Sequence, residues 1–118
     1  RENAVVIETI AGILASNLRQ ASIVADPDSR GVDFQFENGS LILNGASAEI
    51  GSARVEMPIA YTGEPLGIML DSKYVGEFFR VLEPDKMIQI DIGTEREPAI
   101  FKADGCYQYV VMPMARDR

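Results

Sequence analysis

Residues 107–114 read Tyr-Gln-Tyr-Val-Val-Met-Pro-Met, a largely apolar segment that carries two methionines and a proline. A strand with regular alternation places only every second side chain in one core. This segment therefore needs cover on both faces, or it leaves one face open to a partner. Two interpretations follow from these residues alone: a buried closing strand, or an adaptable binding surface of the kind that flexible methionines form.

The same pattern occurs earlier in the chain, because residues 55–59 (VEMPI) resemble residues 110–114 (VVMPM). Such regular self-similarity indicates a duplicated unit. The chain is therefore predicted to hold two copies, each with the order strand, helix, strand, strand, strand. Other segments pair at similar offsets, namely 41–47 (LILNGAS) with 99–105 (AIFKADG), 32–36 (VDFQF) with 88–92 (IQIDI), and Leu18-Arg19 with Phe79-Arg80.

The composition is that of an ordinary globular chain and excludes several chemistries. A length of 118 residues suits one domain with a single core, and no segment approaches the length of a membrane span. The absence of histidine removes Ser-His-Asp catalysis and most zinc sites, so neither a cofactor nor a metal is expected. Cys106 is interpreted as an incidental thiol, and a lone cysteine fits the cytoplasm. Arg1 is expected to mark a cut from a longer chain.

The net charge and the acidic residues limit the activities that this chain could have. The net charge of −7 argues against nucleic acid as a partner of the whole surface, although it allows a basic patch on one face. An enzymatic alternative would need acid–base work from the pairs Asp26/Asp28 or Glu95/Glu97. Both pairs fall in predicted turns and no positioned nucleophile accompanies them, so an enzyme is disfavoured.

In the first copy, residues 4–8 predict a strand and Thr9 predicts the N-cap of the helix that follows. Asn38-Gly39 predicts a tight hairpin between a strand at 31–36 and its partner at 41–43. Residues 45–51 predict a loop with a short strand, and Pro58 marks 54–61 as an edge or bulged strand. The apolar stripe of the helix consists of Ile10, Ile13, Leu14, Leu18, Ala21 and Val24.

In the second copy, a strand at 66–70 precedes a helix capped by Asp71 or Ser72 that runs to about Leu82. Strands are predicted at 87–92, 99–102 and 107–114. The fold class is α+β, with two helices packed on antiparallel sheet in one domain over residues 1–118. The helix places Val75, Phe78, Phe79 and Leu82 on its apolar side and Lys73, Glu77 and Arg80 on a polar stripe.

These residues carry a resemblance to a known family. The duplicated unit, the Tyr-Thr-Gly-Glu-Pro junction at 61–65, the helix that begins Asp71-Ser72-Lys73-Tyr74 and the closing YVVMPM at 109–114 resemble the bacterial DNA sliding clamp, the β subunit of the replicative polymerase. The likeness covers essentially the whole chain and corresponds to the third, C-terminal domain. It implies the DNA-clamp fold of two β-α-β-β-β repeats. The Arg30-Gly31-Val32 segment also fits.

The resemblance implies a non-catalytic role in DNA replication. Subunits of three domains each close head-to-tail into a homodimeric ring around duplex DNA, which tethers the polymerase. Short peptides on the polymerase, the clamp loader and other proteins bind the ring, and no membrane partner is implied. A stand-alone peptide-binding module without a DNA role remains the alternative.

Three surfaces follow from the resemblance. A partner-peptide pocket is implied at Asp71, Tyr74, Val110, Val111, Met112, Pro113 and Met114, with the valines at its floor. A DNA-facing surface is implied at Arg19, Lys73 and Arg80, although Glu77 on the same stripe favours plain solvated helix charges. A subunit interface is implied at Ile23 and Val24, where Ile23 has the alternative of packing under the next loop. The ending Ala115-Arg116-Asp117-Arg118 departs from the Arg-Leu that commonly follows the motif.

Overall fold

Two copies of one supersecondary unit follow each other in the computed structural model, which describes residues 5–115. The interpretations placed on Arg1 and Ala4 and on residues 116–118 lie outside that range. The first copy comprises β1 (Val5–Ile10), α1 (Ala11–Ser22), β2 (Gly31–Glu37), β3 (Ser40–Ser47) and β4 (Gly51–Pro58). The second comprises β5 (Leu66–Asp71), α2 (Ser72–Phe79), β6 (Met87–Ile92), β7 (Ala99–Ala103) and β8 (Tyr107–Val111). The predicted order of elements and the α+β class are confirmed.

The two copies exchange their first strands. One sheet has the order β1-β6-β7-β8 and the other the order β4-β3-β2-β5, and all neighbours are antiparallel. Val5 of the first copy pairs with Ile92 of the second, and Asp71 of the second pairs with Gly31 of the first. Neither copy therefore completes a four-stranded sheet from its own strands.

The core lies between the sheets and the inner faces of both helices. Val32, Phe34 and Phe36 alternate along β2 and are fully buried, as the sequence pattern predicts. Burial of each such large apolar side chain contributes about 1.5–3 kcal/mol. Phe78 of α2 stacks on Tyr107 at a centroid distance of 5.2 Å. Among the described residues, none of the helices has the length and apolarity needed to span a membrane.

The start of α1 corrects the sequence analysis. Thr9 is the wrong N-cap, because it lies within β1, and Ile10 precedes the helix without a side-chain cap. The N–H groups of Ala11 and Gly12 instead donate to the carbonyls of Lys86 and Pro84, at 2.8 and 2.7 Å. Because the helix begins at Ala11, its inner face is Ala11, Leu14, Leu18 and Ala21, which leaves Ile13 half-exposed.

The segment 45–51 is also different from its prediction. It holds the end of β3 and the start of β4, and Ser47 pairs with Gly51 across a short turn. Gly45 is needed for close packing rather than for a loop, because a Cβ there would lie 2.0 Å from the carbonyl oxygen of Ala21. The predicted hairpin at Asn38-Gly39 is confirmed, with Gly39 at a φ of +79°.

The C-terminal ends of α2 and β8 are shorter than predicted. α2 ends at Phe79 rather than near Leu82, and β8 ends at Val111 rather than Met114. Pro113 lacks the N–H that a continuing strand would donate, so the chain leaves the sheet there. It returns at Met114, which forms an isolated bridge with Met69 of β5. The predicted edge position of β4 is confirmed, but the strand spans Gly51–Pro58 rather than 54–61.

Candidate functional site

The start of α2 forms a corner where β5 lies beside β2. Asp71 is the last residue of β5 and the N-cap of α2, and its carboxylate accepts the N–H of Lys73 at 2.9 Å. Short polar side chains cap helices in this way because the first N–H groups have no partner inside the helix. The N–H of Ser72 donates to the carbonyl of Arg30 at 2.8 Å. The helix start is thus joined to the residue that precedes β2.

Arg30 makes a two-pronged contact with Asp71. The guanidinium donates through Nε at 3.1 Å and through Nη2 at 2.8 Å to the two carboxylate oxygens. Burial of Asp71 disfavours its charged form, yet the bonds from Arg30 and from the backbone N–H groups of Lys73 and Tyr74 prevail, and the pKa of Asp71 lies below its ordinary value. Asp71 is therefore a buried carboxylate that stays ionised at neutral pH.

Tyr74 stands over the same guanidinium. The central carbon of the Arg30 guanidinium lies 5.7 Å from the ring centroid of Tyr74, which is within the range of cation–π attraction. The Tyr74 side chain is 50% exposed. The ring of Tyr74 is therefore exposed to solvent on one side, and the Arg30–Asp71 ion pair lies against the ring.

The end of the chain returns to this corner. The N–H of Met114 donates to the carbonyl of Met69 at 2.8 Å. A Cβ at Gly31 would lie 2.9 Å from the sulfur of Met69 and 3.5 Å from that of Met114. The Met69 sulfur therefore uses the space that Gly31 leaves free, and the Met114 sulfur lies at ordinary contact distance from the same position. Arg30 and Gly31, consecutive in the chain, contact Tyr74 on one side and Met114 on the other.

The seven predicted pocket residues are not equivalent in the structure. The corner brings together Asp71, Tyr74 and Met114, and Pro113 and the 65%-exposed Met112 connect it to β8. The two valines face opposite ways: Val111 belongs to the hydrophobic core, and Val110 is half-exposed on the other side of the strand.

Sequence reasoning gave no role to Arg30 or Met69. Arg30 was noted only as part of the Arg30-Gly31-Val32 segment, and Met69 only as part of a strand. The pairing of β2 with β5 brings both to the site, since Gly31 lies opposite Asp71. No local pattern in the sequence signals that pairing.

A second feature is the groove between the two helices. It has a volume of about 540 Å³, and Arg19 of α1 and Arg80 beyond α2 both line it. Arg80 forms an ion pair with Glu77 at 3.0 Å, whereas Arg19 forms no ion pair with another residue of the range 5–115. Lys73 is exposed but does not line the groove.

The remaining predicted residues lie at the end of α1 and in turns. Ile23 follows α1 and is 68% exposed, while Val24 is half-buried near Gly45. Asp26 accepts the N–H of Asp28 at 2.8 Å, and Glu97 accepts the N–H of Thr94 at 3.1 Å, so both acidic segments form turns. In the part of the chain from 5 to 115, no group of three or more acidic or cysteine side chains is placed to hold a metal.

Comparison with known proteins gives consistent matches. A family model described as DNA polymerase III beta subunit, C-terminal domain, matches residues 1–115. The beta sliding clamp of Chlamydia muridarum is 30% identical over 103 residues, which cover 86% of this chain and 27% of that protein. The beta sliding clamp of Chlamydia trachomatis serovar D is 30% identical over 103 residues, covering 86% of this chain and 24% of that protein.

Solved structures share the fold. The DNA polymerase III subunit beta of Pseudomonas aeruginosa superposes with a TM-score of 0.87 at 21% identity, covering 94% of this chain and 31% of that chain. A Pseudomonas aeruginosa sliding clamp bound to griselimycin superposes with a TM-score of 0.86 at 21% identity, covering 94% and 30%. The chain thus spans about a quarter of the length of the Chlamydia relatives.

Proposed function

The chain belongs to the family of DNA polymerase III beta subunits as a C-terminal domain, and from this premise we propose that residues 1–118 form the third domain of a sliding clamp. The whole protein would encircle duplex DNA and tether the replicative polymerase as a processivity factor in the cytoplasm. The proposed role is non-catalytic. The observation that carries it is the corner at α2, where the exposed ring of Tyr74 lies against the Arg30–Asp71 ion pair and Met114 returns to β5.

The corner suits a short hydrophobic peptide. Extended peptides bind grooves in which backbone contacts give affinity and side-chain pockets give specificity. Methionines adapt to varied partners because they are flexible and polarizable. Exposed Met112 and Tyr74 would contact such a peptide directly, together with Val110, Pro113 and Met114, while Val111 and Asp71 would support them from beneath.

The groove between the helices suits a phosphate backbone. Arg19 and Arg80 would face the duplex, and Lys73 would add a contact from the start of α2 outside the groove. Such contacts are independent of sequence and sensitive to salt. The net charge of −7 would keep the rest of the surface from binding DNA tightly, which a sliding ring requires. Ile23 and Val24 would contact the neighbouring subunit, since Ile23 leaves a large apolar side chain in solvent at the end of α1.

The first experiment measures binding of fluorescently labelled griselimycin, the ligand of the relative from Pseudomonas aeruginosa, to the full-length protein that contains this chain. Met112→Ala and Met114→Ala are each expected to weaken binding, because anchor contacts typically contribute about 1–4 kcal/mol. Met87→Ala serves as the matched control, since Met87 is also half-exposed but lies on β6. Equal affinities of all variants and wild type would overturn the proposed pocket.

A second experiment separates a clamp from a stand-alone peptide-binding module. Full-length protein loaded on nicked circular DNA is expected to stay bound, and to leave soon after the DNA is linearised. The Arg19→Ala/Arg80→Ala variant is expected to reduce the salt dependence of DNA binding by about one unit of slope for each lost phosphate contact. Arg54→Ala, an exposed arginine on β4, is the control. Retention that does not depend on circularity would favour the module.

A further inference from the structure

We propose that Arg30 is the positioning residue of the partner pocket: anchored by Asp71, it fixes the ring of Tyr74, and its neighbour Gly31 leaves room for Met69, whose carbonyl holds Met114. The inference rests on the proposed function, because it names the residue that organises that surface. It does not require Arg30 itself to bind the partner.

The contacts of Arg30 suit a support rather than a free surface charge. Nε and Nη2 of Arg30 donate to the carboxylate of Asp71, and the guanidinium carbon lies 5.7 Å from the ring centroid of Tyr74. A planar guanidinium locks geometry in this way, whereas an ammonium on a flexible chain acts as a point charge. The orientation of Tyr74 is therefore set by the fork between Arg30 and Asp71 as well as by the backbone of α2.

A helix start of this kind can form without such a cluster, as the other copy shows. The carbonyl of Lys86 accepts the N–H of Ala11 at 2.8 Å, just as the carbonyl of Arg30 accepts the N–H of Ser72 at 2.8 Å. Lys86 is thus the counterpart of Arg30, and apolar Ile10 is the counterpart of Asp71. Lys86 pairs with Asp104 at 2.7 Å, outside the corner. The same helix start forms with no buried charge pair.

The backbone of Arg30 is also unusual. Its φ of +57° lies in the left-handed region, which only Arg30 and Asp104 adopt among the non-glycine residues that the structure describes. A long side chain is disfavoured there, and such conformations persist where the surroundings impose them, often at functional sites. Lys86 does not share this conformation. Arg30 thus occupies a position where the backbone alone would favour glycine or asparagine.

The test is a double-mutant cycle in the full-length protein, with labelled griselimycin as the probe. Arg30→Gln and Asp71→Asn are each expected to weaken binding roughly tenfold, which corresponds to about 1.4 kcal/mol. The double variant is expected to be no weaker than either single one, because each change releases the same support. Arg30→Lys, which keeps the charge but loses the fork, should recover only part of the affinity.

Two further measurements separate positioning from general destabilisation. Lys86→Gln and Asp104→Asn break the counterpart ion pair, and both should bind griselimycin as wild type does. Fluorine NMR of protein labelled with 3-fluorotyrosine, with the signal of residue 74 assigned through Tyr74→Phe, should show that signal shifting in Arg30→Gln. The signals of Tyr107 and Tyr109 should stay in place.

The outcomes are distinct. Wild-type affinity in Arg30→Gln and Arg30→Lys, or an unmoved Tyr74 signal, would overturn this inference and leave the proposed function intact. No binding of griselimycin to the wild type would overturn the proposed pocket, and the inference with it. If Arg30→Gln does not fold, Arg30→Lys and Asp71→Asn decide the question by the same criteria.

Discussion

The first backbone N–H groups of the two helices find their hydrogen-bond acceptors in two different ways. At α1 the free N–H groups of Ala11 and Gly12 are satisfied by the backbone carbonyls of residues 86 and 84. At α2 a side chain, Asp71, takes part of that task and is itself held by Arg30. The α1 corner is closed by backbone groups alone, whereas the α2 corner adds side chains that can also contact a partner. The difference between the copies therefore marks where the molecule departs from its own repeat.

The largest expected effect tests how closely α1 packs on its sheet. Gly45→Ala should lower the free energy of unfolding by about 3 kcal/mol or more, because the new Cβ would lie 2.0 Å from the carbonyl oxygen of Ala21. Ala103, at the matching place in the second copy, is a buried alanine already. The control Ala103→Gly should lose about 1 kcal/mol. Urea denaturation measures the free energy of unfolding of both variants. A smaller loss in Gly45→Ala than in the control would contradict this prediction.

A second comparison concerns one glycine in each helix. A Cβ at Gly12 would lie 2.8 Å from the oxygen of Pro84, while Gly76 has open space. Gly12→Ala is expected to cost about 1–3 kcal/mol. Gly76→Ala should instead stabilise by about 0.5–1 kcal/mol, because alanine has the higher helix propensity. Thermal unfolding should show shifts of opposite sign, and equal shifts would remove the distinction between the helices.

The third prediction compares the real cap with the one expected from sequence. Asp71→Ala should cost about 1 kcal/mol of stability through loss of the helix cap. Thr9→Ala lies in β1 and should stay within about 0.5 kcal/mol of wild type. Chemical denaturation measures both variants. A larger loss in Thr9→Ala would restore Thr9 as a capping residue.

The smallest effect is a pH dependence. Because the pKa of Asp71 is lower in the folded protein than its ordinary value, its ionised form stabilises the fold. That contribution is complete above the ordinary carboxyl pKa of about 3.9. It is lost as the pH falls through the lowered value. The difference in unfolding free energy between wild type and Asp71→Asn should therefore shrink upon acidification, and a constant difference would exclude this role.

Local signals predicted much of the fold. Asn38-Gly39 specifies a hairpin because few residues accept its backbone angles, and alternation along β2 shows which side chains face the core. The duplicated pattern predicted the order of the elements. The N-cap prediction for Thr9 was wrong because Thr9 lies in β1, although threonine is a common capping residue. The carbonyls that accept the first N–H groups of α1 come from residues 84 and 86, far along the chain.

The candidate site was predictable only in part. Tyr74, Met112 and Met114 were predicted from the resemblance, because the motifs that carry the resemblance include these residues. Arg30 was not assigned, because its role depends on β2 pairing with the first strand of the other copy. The cation–π contact and the lowered pKa of Asp71 follow from that pairing. Pairings between distant segments leave no periodic trace in the sequence.

The exchange of first strands has a consequence for folding. β1 pairs with β6, since Val5 lies opposite Ile92, so a strand of the first copy must wait for a strand of the second. Closing such a long loop costs entropy before the contacts compensate for it, which slows folding. It also means that the first copy lacks the partner strands β5 and β6 until the second copy is present. The repeat that looks like two modules in sequence should therefore fold as one cooperative unit.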